Sequence, residues 1–144
     1  MPAKHLEEAS SLFADLSADV LSGNVFAIAA RADIPFALYV GDQMFVFHDR
    51  GQILRGLRRY FQVLRALDLS DIDVSVTLAT WHHDGGRSYD VTSRYLRSDG
   101  SLIGIGETRY FVIGAGDAQK LSMMEVLRFP TPDGRLPFDP GSFT

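Results

Sequence analysis

The spacing of apolar residues changes period halfway along the chain. In the first half the period is that of a helix. Leu6, Ala9, Phe13, Leu16 and Val20 recur at three- and four-residue steps, which predicts a helix over about 4–22 with one apolar stripe. Gly23 is a suitable stop. Asn24 caps a second, shorter helix from Val25 to Ala32, which Asp33-Ile34-Pro35 ends because a proline disfavours helix at the residue before it. Phe36–Val40 and Gln43–Phe47 flank Gly41-Asp42 and read as a hairpin; both are apolar on both faces and are expected to be covered on both sides. Asp49 opens a third helix, with Gln52 placed for a capping box. Leu54, Leu57, Phe61 and Leu64 form its stripe, Tyr60 lies at the edge, and Arg55, Arg58, Arg59 and Arg65 fall mostly on the other face.

From Asp71 onward the period is two. Strands are predicted over Asp71–Trp81, about 88–97, about 101–113 and about 120–129, joined by Asp84-Gly85-Gly86, Asp99-Gly100 and Gly114-Ala115-Gly116-Asp117. Asp-Gly between alternating strands marks a hairpin, because the favoured tight turns need φ > 0. A two-residue turn at Asp99-Gly100 places Tyr89 opposite Tyr110, Asp90 opposite Arg109, Val91 opposite Thr108, Thr92 opposite Glu107, and Tyr95 over Gly104. A two-residue turn in the preceding hairpin then puts Ile72, Val74, Val76 and Leu78 on the face of Tyr89, Val91, Tyr95 and Tyr110, the inner face. Trp81, Asp90, Thr92, Arg94, Glu107 and Arg109 go to the outer one. For the last strand two parities stay open: Met123, Glu125 and Leu127 inward, or Met124, Val126 and Arg128. The fold class is α+β, a curved and mainly antiparallel sheet wrapped around N-terminal helices.

The 144 residues suit a single domain, with a core over about 5–129 and an irregular tail over 130–144, whose Phe138 and Phe143 imply that part of it packs, a partner chain being one option. A content of 46 % hydrophobic and 22 % charged residues is that of an ordinary globular chain. The net charge of −4 argues against nucleic acid as a partner. There is no cysteine, hence no disulfide and no thiolate chemistry. No apolar run reaches the length of a membrane span, and the charged start Met-Pro-Ala-Lys-His-Leu-Glu-Glu does not read as a signal peptide, so the expected location is cytoplasmic.

Candidate chemistry follows from the two faces. Inside, Tyr89, Ser93, Thr108 and Tyr110, with Tyr60 from the third helix, put hydroxyls among aliphatic neighbours, the usual make-up of a pocket for a small, mostly hydrophobic molecule. The short side chains Ser93, Gly104, Gly106 and Thr108 either open a cavity there or let the sheet bend around a filled core, and both readings stand. Asp33 and Glu125 are the carboxylates that could approach. Outside, Asp90–Arg109 and Glu107–Arg94 form cross-strand pairs worth about 0.2–1 kcal/mol each. With Trp81 and Thr92 they compose a face suited to homodimerisation, since Trp and Arg are enriched at interfaces. His82 and His83 point to opposite sides of a strand and cannot converge on one ion, so no metal site is expected, and no cofactor-binding motif occurs. The third helix's arginines read as a solvated face. No nucleophile elbow or phosphate-binding glycine loop is present.

The order helix, helix, hairpin, helix, four-stranded meander resembles the nuclear transport factor 2-like fold, also called SnoaL-like or ketosteroid-isomerase-like. The resemblance covers roughly residues 5–129. It is carried by Ala32-Asp33-Ile34-Pro35-Phe36 leading into the hairpin, the helix from Asp49, and the turn Arg97-Ser-Asp-Gly-Ser-Leu-Ile103 with Tyr110 beyond it. It implies a conical sheet with a pocket between sheet and helices, pairing through sheet faces, and an isomerase-, cyclase- or dehydratase-like activity or, alternatively, a non-catalytic dimeric interaction module with a closed core. Two departures bear on activity. The stretch Phe36-Ala-Leu-Tyr-Val40, where ketosteroid isomerases resemble it, holds no carboxylate. The residues similar to an epoxide-hydrolase Asp–Arg–Asp set, namely Asp90, Arg94, Glu107, Arg109 and Glu125, fall for the first four on the outer face.

Overall fold

A computed structural model describes residues 3–143. The side chains of Leu6 and Phe143, to which the sequence pattern gives packing roles, lie outside the described ones. Three helices, α1 (Ala3–Ser22), α2 (Val25–Ala30) and α3 (Arg50–Ala66), accompany six strands: β1 (Ala32–Val40), β2 (Gln43–Phe47), β3 (Leu69–Trp81), β4 (Arg87–Arg97), β5 (Leu102–Ile113) and β6 (Lys120–Arg128). The strands form one open sheet in the order β2-β1-β6-β5-β4-β3, antiparallel throughout except for the parallel β1–β6 pair. The helices fill its concave side, which is the α+β cone expected from the element order.

Helix ends follow local chemistry. The Asn24 side chain accepts from the Ala27 N–H, and Asp49 accepts from the Gln52 N–H at 2.9 Å. The Gln52 amide returns the bond one residue earlier than a capping box requires, accepting from the His48 N–H at 2.6 Å. Arg50 Nη1 donates to the Ala29 and Ala32 carbonyls, pinning the start of α3 to the end of α2 and the start of β1. β1 begins at Ala32 rather than Phe36, so Pro35 lies within the strand instead of before it.

The central register is the expected one. Tyr89 pairs with Tyr110, Asp90 with Arg109, Val91 with Thr108, Thr92 with Glu107 and Tyr95 with Gly104. It is reached by a different route. The Arg97 N–H donates to the Ser101 carbonyl, so the loop is Ser98-Asp99-Gly100, one residue longer than a two-residue turn. A bulge at Ile103 then absorbs the extra residue, since Leu96 pairs with Leu102 but Tyr95 with Gly104. In the preceding hairpin the same compensation occurs farther from the turn. Trp81 pairs with Arg87 and Leu78 with Asp90, while Val76 pairs with Val91, leaving Thr77 as the extra residue. Between that bulge and the turn the expected faces are therefore exchanged. Leu78 joins the outer face and is 54 % exposed; Trp81 joins the side of Ala79 and Tyr89, its ring edge-on to Tyr89. For β6, Met124 pairs with Tyr110 and Val126 with Thr108, which sends both inward and Glu125 outward beside Arg109.

The hairpin β1–β2 is covered on one side only. Phe36 and Phe47 are buried under the helices, but Met44, paired with Tyr39 on the outer side, is 54 % exposed. The irregular tail folds back over its own chain. Pro130 and Thr131 are buried against β5. The Phe129 N–H donates to the Gly134 carbonyl, and the Thr131 hydroxyl donates to the Arg135 carbonyl at 2.7 Å.

Gly104 and Gly106 make room for that crossing. A methyl group at Gly104 would stand 2.6 Å from the Thr131 carbonyl oxygen and 2.8 Å from the Pro130 carbonyl carbon, backbone atoms that cannot yield cheaply. Gly104→Ala is expected to cost about 1–3 kcal/mol, the range for overpacking a tight site. Chemical denaturation of the variant against the parent chain checks this, and unchanged stability would mean that the tail does not lie on β5.

Candidate functional site

Between sheet and helices lies a cavity of about 210 Å³. Its floor is the sheet from β2 to β4, its roof α1, α2 and α3, and the tail lines one side through Leu136, Phe138 and Pro140. Of the five residues expected to line a pocket, the structure brings four together here: Tyr60, Ser93, Thr108 and Tyr110. Tyr89 is excluded. Phe13 of α1 stands between, 5.8 Å from the Tyr89 ring and 4.9 Å from that of Tyr110. Tyr89 is thereby sealed among Phe13, Trp81 and Arg87, whose Nε donates to its hydroxyl at 3.1 Å. Its pairing with Tyr110 is as expected, but the line of the first helix divides the pair.

Tyr95 takes the place of Tyr89. It lies two residues beyond Ser93 on the same face, so the alternation that selects Ser93 also points to it. The Tyr60 hydroxyl lies near that of Tyr95, and the Thr108 hydroxyl near that of Tyr110. Burial raises all three phenol pKa values above the usual value, that of Tyr95 to about 12; their mutual proximity adds to the rise at Tyr60 and Tyr110. Each is a neutral hydrogen-bond donor at physiological pH. The remaining lining is aliphatic or aromatic apart from Ser93 and Thr108, and no lining residue among those described is charged.

The two candidate carboxylates do not reach this space. Asp33 is exposed on β1, and Glu125 faces outward beside Arg109. The Arg109 guanidinium holds Asp90 in a two-pronged pair at 2.7 and 3.2 Å, and this partner together with nearby Glu125 raises its own pKa. In register these residues belong to one row across all six strands of the outer face: Leu78, Asp90, Arg109, Glu125, Tyr39, Met44. His82 stacks on Phe111 and shares a hydrogen bond with Ser88. Among the described residues no three His, Asp or Glu side chains gather as a metal-binding group. No described helix is long and apolar enough to cross a membrane.

No family model matches the chain, and no curated protein matches it. Solved structures do. ActVI-ORFA from Streptomyces coelicolor superposes with a TM-score of 0.67 at 13 % identity, covering 87 % of this chain and 95 % of that one. Aln2 from a Streptomyces species gives 0.64 at 13 % identity over 88 % and 91 %. An NTF-2 like protein of unknown function from Shewanella oneidensis gives 0.63 at 10 % identity over 84 % and 97 %. At these identities the likeness is one of fold.

The buried phenols give a pH signature. A phenol whose pKa is raised by folding stabilises the native state below its unfolded value, near 10, and that stability is lost as pH rises through the folded value. Stability is therefore expected to hold up to about pH 10 and to fall steeply toward about pH 12 as Tyr95 ionises. Urea denaturation between about pH 8 and 12, with tyrosinate absorbance followed in parallel, tests this; tyrosines that all titrate near 10 without unfolding would contradict the burial.

Proposed function

We propose that this chain, which has the nuclear transport factor 2-like fold, holds a small, uncharged and mostly hydrophobic molecule inside its cone. One observation carries the reading: an uncharged cavity of about 210 Å³ into which three neutral phenols and two aliphatic hydroxyls project. An apolar cavity of about 150 Å³ takes up benzene, so this volume suits a somewhat larger ring system. Burying a charged ligand among these walls would cost several kcal/mol without a counter-charge, which selects against carboxylates and amines. An acceptor oxygen on the ligand would be met by the phenol protons.

The same inventory limits the chemistry. Phenols held neutral can polarise a carbonyl but cannot take a proton from carbon near neutral pH. Isomerase-, cyclase- or dehydratase-like turnover would need a base brought by the ligand or by water. Binding is thus the core of the proposal, and the competing reading, a dimeric interaction module, requires a filled interior.

Thr108→Phe separates the two. In an open cavity the ring occupies the void, leaving the melting temperature unchanged or higher while abolishing the response to ligands. In a filled core it overpacks at about 1–3 kcal/mol. Thermal shift of parent and variant against a panel of neutral carbonyl, epoxide and aromatic compounds reads both effects, since a ligand stabilises by RT ln(1 + [L]/Kd). A parent chain indifferent to the whole panel, with a destabilised variant, would end the reading.

A second element of the proposal is pairing of two copies through the outer sheet face. Its support is the six-strand row, apolar at both ends with Leu78 and Met44 each 54 % exposed and charged in the middle, flanked by Thr92, Arg94 and Glu107. Trp81, on the other side of the sheet, takes no part. Arg109→Glu would set a third carboxylate beside Asp90 and Glu125 and is expected to give a monomer in sedimentation velocity where the parent gives a dimer. A monomeric parent at micromolar concentration would refute pairing.

A further inference from the structure

We infer that residues 136–142 of the tail are the gate of the cavity, moving away from α3 and β2 to admit and release the ligand while residues 130–135 stay in place. The inference rests on the binding role proposed above. Its basis is a contrast between the two halves of the tail.

The first half is an anchor. Thr131 is 3 % exposed, and its hydroxyl is held by the Arg135 carbonyl and the Asp133 carboxylate. The Arg135 N–H also donates to Asp133, and the Phe129 N–H and Gly134 carbonyl close the turn. Pro130 and Thr131 sit where Gly104 and Gly106 present bare backbone. A shift of this half would break several hydrogen bonds and open β5.

The second half is a wall. Leu136, Phe138 and Pro140 give apolar side chains to the cavity. Residues 139–142 carry their own turn: the Asp139 carboxylate accepts from the Gly141 N–H, and its carbonyl accepts from the Ser142 N–H and hydroxyl. The turn ends in a short 3-10 segment, Pro140–Phe143, that rests on α3 and β2, and a methyl at Gly141 would lie 3.3 Å from the Phe45 ring. Such a turn keeps its local bonds when it moves as a unit. The joint between the halves lies at Arg135–Leu136, just past the Arg135 carbonyl that makes the anchor's last hydrogen bond.

Every other wall belongs to a helix, to the hydrogen-bonded sheet or, through Phe129 and Pro130, to the anchored start of the tail. Opening any of them separates core side chains or ladder bonds, whereas lifting 136–142 parts contacts with α3 and β2 and leaves the sheet ladder intact. Local openings draw on the parts of a structure with least cooperative support, and closing segments of this kind move in microseconds to milliseconds.

The test uses three forms of the protein and 2-naphthol as a fluorescent neutral probe. One is the full chain. One ends at Arg135. The third carries Phe45→Cys and Gly141→Cys joined by a short, reductively cleavable bifunctional maleimide; these are its only cysteines. Stopped-flow association and dissociation rates are measured for each. The gate predicts that both rates rise at least tenfold in the shortened chain with Kd changed far less. It predicts that both fall at least tenfold in the cross-linked chain and recover when the linker is cleaved. Probe binding to the shortened chain alone would also support the gate, as one that stays shut in the full chain. Binding to the full chain at rates that neither truncation nor cross-linking alters would overturn the gate and leave the binding role standing. If no form takes up the probe, both fall. Should the shortened chain not fold, the cross-linked form before and after cleavage decides alone.

Discussion

The close approach of the tail to β5 is the constraint on which the interior depends. Two glycines, Gly104 and Gly106, let the backbone of Pro130 and Thr131 lie directly on the sheet. With side chains at those positions the tail would stand off, and Leu136, Phe138 and Pro140 could not reach the mouth of the cone. The small residues on the inner face therefore serve two ends. Ser93 and Thr108 leave space that stays open, whereas the space left by the glycines is filled by the tail.

The interior and the outer face divide polar chemistry between them. Charge is kept out of the cavity: the row through Asp90, Arg109 and Glu125 lies on the outer face, and the buried Arg87 meets the Tyr89 hydroxyl beyond Phe13. In the cavity, polar groups are hydroxyls that can meet one another: Tyr60 with Tyr95, and Thr108 with Tyr110. Such a lining is stable empty or occupied, because no group in it demands a counter-ion.

Much of this is legible in the sequence, for identifiable reasons. The change from helical to alternating spacing marks the elements, and the Asp-Gly turn sets the β4–β5 register. That register holds although the turn is one residue longer than the pattern implies, because the Ile103 bulge restores the alternation. A second bulge at Thr77 has the opposite effect on Leu78 and Trp81, which lie between it and their turn and so exchange faces. Bulges leave no mark in a binary pattern, so the residues between a bulge and its turn are the least secure. Tyr89 is misplaced for a different reason: its register is right, but the path of Phe13 above it is a tertiary fact that no strand pattern contains. The tail carries a signal in Phe138, an aromatic among prolines and glycines, but nothing in the chain says which surface such a residue covers.

The division of the tail into anchor and wall bears on how the chain can vary over evolutionary time. Residues of the sheet and helices that line the cavity also build the core, so a change of ligand made through them risks the fold. Leu136, Phe138 and Pro140 line the cavity but belong to neither of the two core clusters. Substitutions there could reshape the binding volume at little expense to folding. A lineage could in this way acquire new ligands by drift in a few C-terminal positions while the glycine cradle and the phenols stay fixed.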